Sequence, residues 1–71
     1  MNKAEENLYY AMTESDNSSF FAKLCRLIMK ADPINKTLLG MIHPDYVDAV
    51  EKYQMQEGYW EELCEKMEKK L

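Results

Sequence analysis

Seventy-one residues leave room for one domain with one apolar core, and a core of that size supplies roughly 3 to 5 kcal/mol, so such chains commonly add a disulfide, a metal or a partner subunit. With 46% hydrophobic and 31% charged residues and only two Gly and two Pro, the composition is that of a compact helical chain and excludes a disordered one. The formal net charge of −4 argues against a nucleic-acid-binding module; Glu5 and Glu6 stand where a secretory leader would be apolar, and no apolar run is long enough to span a bilayer, so a cytoplasmic protein without membrane contact is expected.

The first predicted helix covers about residues 3–14. Asn2 and Glu5 have the spacing at which each side chain satisfies a free N–H of the other, and Ala4, Leu8, Ala11 and Met12 share one face. Residues 14–19, Glu-Ser-Asp-Asn-Ser-Ser, bond their own backbone too readily to stay helical and read as a loop ending in a cap. They lack the later Gly and bidentate Glu of a calcium loop. A second helix, about residues 19–31, carries Phe20, Phe21, Leu24, Cys25, Leu27, Ile28 and Ala31, an apolar arc wide enough to be contacted from two sides, and is expected to be central. Its remaining surface, Lys23, Arg26 and Lys30, forms a narrow basic stripe.

Asp32-Pro33 combines a cap with a proline suited to the first helical position, and opens a third helix of about residues 33–41. Ile34, Leu38, Met41 and Ile42 recur there with helical period, while Gly40 weakens the last turn, which is expected to fray toward His43. His43-Pro44 repeats the device, with Asp45 and Asp48 at the positive end of a fourth helix of about residues 44–54 that buries Val47, Val50 and one face of Tyr46 and Tyr53. The tripeptide His43-Pro44-Asp45 also occurs in J-domain co-chaperones, in an exposed loop after a basic helix; here it follows an apolar run and is explained by helix-start chemistry. After a turn near Gly58 a fifth helix, about residues 59–70, sets Trp60, Leu63, Cys64, Met67 and Leu71 in a heptad-like seam. Glu61 and Glu62 precede Lys66, Lys69 and Lys70 in the order that opposes the helix dipole, with Glu62 and Lys66 spaced to pair. The fold class expected is therefore all-α, one domain over residues 1–71, a small bundle of four or five short helices.

Charge is unevenly divided. Residues 17–44 hold Lys23, Arg26, Lys30 and Lys36 against Asp32, a local +3, whereas residues 1–16 sum to −3 and residues 45–71 to −4. Catalysis is not expected. The one histidine, His43, would have to activate Cys25 or Cys64, both on core-facing positions, where burial makes a thiol inert. No metal, cofactor or small-molecule substrate is implied, and the two cysteines, outside any ligand pattern, read as buried free thiols, with a bridge between them left open.

Five Tyr, two Phe and one Trp exceed what so small a core encloses, and the adjacent pairs Tyr9-Tyr10 and Tyr59-Trp60 cannot both point inward on a helix. Tyr9, Tyr10, Tyr59, Trp60, Met67 and Leu71 are accordingly the expected contact residues of a non-enzymatic protein that self-associates or binds a protein partner. An alternative is an acidic inhibitor from a mobile element, occupying a nucleic-acid-binding site of a host protein with Asp45, Asp48, Glu51, Glu61, Glu62 and Glu65. A second alternative is a nucleic-acid module using Lys23, Arg26 and Lys30.

The spacing of Lys30-Ala31-Asp32, Asn35 and Leu39, then Pro44 and Val47, then Val50 and Tyr53, resembles a pattern in small uncharacterised all-helical proteins of phages and prophages. It covers about a third of the chain, and His43 stands where that pattern usually has Phe. The resemblance implies an all-helical fold and a phage or mobile-element origin, and carries no catalytic residue with it.

Overall fold

A computed structural model describes residues 2–70, which form five helices and no strand: α1 (Lys3–Thr13), α2 (Phe20–Lys30), α3 (Pro33–Ile42), α4 (Pro44–Met55) and α5 (Tyr59–Lys70). The side-chain capping expected from the sequence is present at three of the five starts, those of α1, α2 and α3. Asn2 and Glu5 exchange hydrogen bonds, Glu5 N–H donating to Asn2 Oδ1 at 2.8 Å and Asn2 N–H to Glu5 Oε1 at 3.2 Å. Ser19 caps α2 by accepting from the Ala22 N–H, Asp32 caps α3 by accepting from the Asn35 N–H, and Pro33 and Pro44 open α3 and α4. His43 ends α3 and starts α4 without a side-chain cap bond; α3 stays helical to Ile42 instead of fraying toward His43. Gly58, at φ +85°, supplies the left-handed turn into α5.

The Cα trace measures 36 × 26 × 17 Å. Helix axes pack about 8 to 10 Å apart, so 17 Å admits two layers and every helix keeps a face to solvent. One buried cluster holds the layers together: Ala4, Leu8 and Ala11 from α1; Ala22, Leu24, Cys25 and Ile28 from α2; Tyr46, Val47, Ala49 and Val50 from α4; Tyr59, Leu63 and Met67 from α5. Four of these are alanines, which let the backbones approach closely. The centre of the bundle is α4, which packs against all four other helices, and not α2, which was expected to hold that place and lies mainly against α1 and α4.

Polar side chains lock the packing at specific points. The Tyr59 hydroxyl donates to Glu5 Oε2 at 2.7 Å, so one carboxylate both caps α1 and ties it to α5. Burial pushes the Glu5 carboxyl up, but the hydrogen bonds from Tyr59 and from the Asn2 N–H, with the Lys66 charge, outweigh it and hold Glu5 below the ordinary carboxylate value. The same burial and the same bond push the Tyr59 hydroxyl well above its ordinary value. Tyr46 OH accepts from Asn7 Nδ2 at 2.9 Å, joining α4 to α1.

Arg26 takes a role the sequence reading did not assign it. Its guanidinium donates to the carbonyls of Asn17 (2.7 Å), Ala11 (3.0 Å) and Glu14 (3.0 Å), capping the C-terminal end of α1, whose last turn has no basic residue of its own, and fixing the following loop. The expected basic stripe is therefore reduced to Lys23 and Lys30.

Candidate interaction surface

Of the six contact residues expected from the sequence, two are buried in the bundle and Tyr9, Tyr10 and Trp60 are half-buried. Tyr59 and Met67 are 7% and 1% exposed and belong to the core, so the expected docking seam along α5 is instead the seam by which α5 joins its own chain. Trp60 is half-buried between two rings, stacked on Tyr9 at 5.9 Å and edge-on to Tyr53 at 5.3 Å; Tyr10 meets Tyr9 edge-on at 5.5 Å. Of the adjacent pair Tyr59-Trp60, Tyr59 is in the core and Trp60 lies outside it, closing onto aromatic neighbours of α1 and α4. Leu71 lies outside the described residues.

The large apolar side chains that do reach solvent lie on α2 and α3, with the exception of Met55 on α4. Helix α3 has no buried residue, and Ile34, Leu38, Met41 and Ile42 are 74%, 52%, 75% and 72% exposed. These four form the apolar arc that periodicity would place against the core. The opposite side of α3 does the packing: Gly40 faces Val47 of α4, close enough that a Cβ there would meet Val47 Cγ2 at 3.8 Å, and Lys36 Nζ donates to Gln54 Oε1 at 3.2 Å, while Gln54 Nε2 reaches the Met29 carbonyl at 3.3 Å. The connections explain this inversion. Ala31 and Asp32 alone separate α2 from α3, and His43 alone separates α3 from α4, each next to a proline, so α3 cannot rotate to bring its arc inward.

Between α2 and α3 runs an open groove of about 550 Å³. Its walls include Leu27, Lys30 and Ala31 from the α2 side and Leu38, Leu39 and Ile42 from α3. At the end near the α3–α4 junction, Phe20 and Phe21 meet the His43 ring edge-on at 6.3 and 6.4 Å, and Phe21 stacks on Tyr46 at 5.0 Å. His43 is thus an aromatic spacer at a helix junction, with Pro44 in the first helical position and Asp45 exposed beside it. Phe20, Leu27, Ile34, Leu38, Met41 and Ile42 are each more than half exposed. At on the order of 100 Å² apiece they leave roughly 600 Å² of apolar surface, the top of the range for the largest patch on an ordinary monomer and most of the roughly 800 Å² that one side of a standard interface buries.

Cys25 is buried and free, and burial pushes its thiol up to about 11 despite the Arg26 charge beside it; Cys64 is half-buried and free, its thiol raised by burial and by Glu68 and Glu61. Among the described residues no three His, Cys, Asp or Glu side chains come together, and no helix is long and apolar enough to cross a membrane. Of the carboxylates considered for an acidic inhibitor, Asp48 pairs with Lys52 at 3.0 Å and Glu65 with Lys69 at 3.1 Å, the latter in place of the expected Glu62–Lys66 pair. Comparison with protein-family models, with curated proteins and with solved structures finds no match to the chain.

Proposed function

We propose that this chain is a non-enzymatic helical interaction protein that binds another protein chain, a second copy or a different partner, through the apolar face of α2 and α3. The observation that carries the reading is the orientation of α3, which turns Ile34, Leu38, Met41 and Ile42 to solvent and packs on α4 through its less apolar side. Isolated apolar residues on a surface need no explanation, but this much exposed apolar surface on two successive helices of so small a chain does. A 71-residue bundle with two layers also gains the extra stabilisation that small cores need when a further chain covers that face. The acidic carboxylates of α4 and α5 offer weaker support for an inhibitor, because two of the six considered, Asp48 and Glu65, already face lysines of their own helices.

The test compares the full chain with a Leu38→Glu, Ile42→Glu variant. Both side chains are exposed, so helicity and unfolding midpoint should stay near those of the parent. Any self-association seen by light scattering, and any complex reconstituted with an identified and purified partner, should be lost in the variant. Association that survives the double substitution contradicts the reading.

A further inference from the structure

Resting on the α2–α3 face as the binding face, the geometry points to an amphipathic helix of a different protein, apolar on one side and flanked by Asp or Glu, as the segment that lies in this groove. Three observations converge on that occupant. The first is shape. An open channel between two short antiparallel-running helices, with Leu27, Leu38, Leu39 and Ile42 along it, is the form in which a helix presents anchors at i, i+3, i+4 and i+7. The ten residues of α3 extend about 15 Å, close to three helical turns, which matches one such set of anchors.

The second is charge. Lys30 lines the groove and Lys23 lies on the same side of α2, flanking the exposed Leu27; both are exposed, and neither has an ion-pair partner among the described residues. The nearest acid in the groove, Asp32, already spends Oδ1 on the Asn35 N–H at 2.7 Å. Arg26 and Lys36 are engaged elsewhere, on the α1 carbonyls and on Gln54, so the two free lysines set the sign of the rim.

The third is the remainder of the surface. Outside residues 17–44 the chain carries −7, from −3 over residues 1–16 and −4 over residues 45–71. A partner with acidic flanks meets net negative charge over both of those segments and net positive charge over the one that builds this face, so it is favoured here. Two copies meeting through the same face would bring two basic rims into one interface, which disfavours a second copy as the occupant.

The probes are two fluorescein-labelled amphipathic peptides of about four turns, with identical Leu anchors, one with Glu and one with Lys at the flanking positions, titrated with the full chain and read by anisotropy. At low salt the Glu-flanked peptide should bind about tenfold tighter than the Lys-flanked one, the effect of two exposed charge contacts, and lose most of that margin in roughly half-molar salt. Lys23→Glu with Lys30→Glu should reverse the order of the two peptides. Leu38→Glu with Ile42→Glu should weaken both at least tenfold. Equal affinity for the two peptides, a preference for the Lys-flanked one, or binding of neither overturns the inference. If neither binds while the chain dimerises in a manner abolished by the Leu38→Glu, Ile42→Glu variant, the face is a binding face occupied by a second copy and the reading under Proposed function stands. If neither binds and the chain remains monomeric, that reading falls with it.

Discussion

Trp60 and Ile42 are both large apolar side chains on short amphipathic helices, yet Trp60 lies between Tyr9 and Tyr53 while Ile42 faces solvent at 72% exposure. The α1–α4–α5 side is cross-linked by Tyr59 to Glu5, Asn7 to Tyr46 and Lys70 to Glu6, and its aromatic rings close over one another. On the α2–α3 edge, α2 packs into the core through Ala22, Leu24, Cys25 and Ile28, but α3 packs only through Gly40, Leu39 and Lys36 and has an apolar face left over. What separates the two regions is connection length. The loops before α2 and before α5 are long enough for those helices to choose their phase, whereas α3 is held between links of two residues and one residue. Apolar periodicity says that a helix has a face; the links decide where that face points.

The contrast is sharpest in core truncations. Leu8→Ala, at a fully buried site, should cost about 2 to 5 kcal/mol, enough to unfold much of the population, whereas Leu38→Ala should change stability by no more than about 0.5 kcal/mol; urea unfolding of the two variants checks it. Next in size, Arg26→Ala should cost about 2 to 3 kcal/mol, because the carbonyls of Ala11 and Glu14 at the end of α1 and of Asn17 in the following loop lose a charged donor, and Arg26→Lys should recover less than half of that, since one ammonium cannot reach all three.

Tyr59→Phe removes the α1–α5 bond and should cost about 1 to 2 kcal/mol near neutral pH. Its dependence on pH has a definite sign. Glu5 is held below its ordinary value, so its contribution is present above that value and is lost as pH falls through the lowered one; Tyr59 is held above its ordinary value, so its contribution is present below about 10 and is lost as pH rises past it. The gap between parent and variant, followed by thermal unfolding across pH, should therefore narrow at both extremes. The smallest effect expected is a gain: Gly40→Ala meets Val47 at an ordinary 3.8 Å and removes a helix-interior glycine, so α3 should be firmer by about 0.5 to 1 kcal/mol in the same unfolding assay.

The parts of this fold that were legible in the sequence are those determined within a few residues. Asn2 with Glu5, Ser19, Asp32 with Pro33, and Pro44 each mark a helix start by chemistry that needs no tertiary partner, and the four helices they open lie within a few residues of where these signals put them. Links across the sequence were not legible. Nothing local to Arg26 distinguishes a guanidinium that caps another helix from one that faces water, and Tyr59 finds Glu5 across 54 positions. The excess of apolar and aromatic side chains over available core was readable from composition, but its location was not. Aromatic pairs drew attention to Tyr9, Tyr10 and Trp60, which satisfy one another, while the face that stays open belongs to Ile34, Leu38, Met41 and Ile42. The available signal was the pair of proline-bounded short links around a glycine-containing helix.

Methionine oxidation by dilute hydrogen peroxide, followed by mass spectrometry on the monomeric chain, measures the direction of α3 without reference to any partner. Met41 on the outward arc is 75% exposed and Met55 is 81% exposed, whereas Met67 is 1% exposed in the core. The account predicts that Met41 is oxidised at a rate close to that of Met55 while Met67 stays protected as long as the fold is intact. Protection of Met41 comparable to that of Met67 in the dilute monomer would mean that α3 turns its apolar arc inward, and would contradict it.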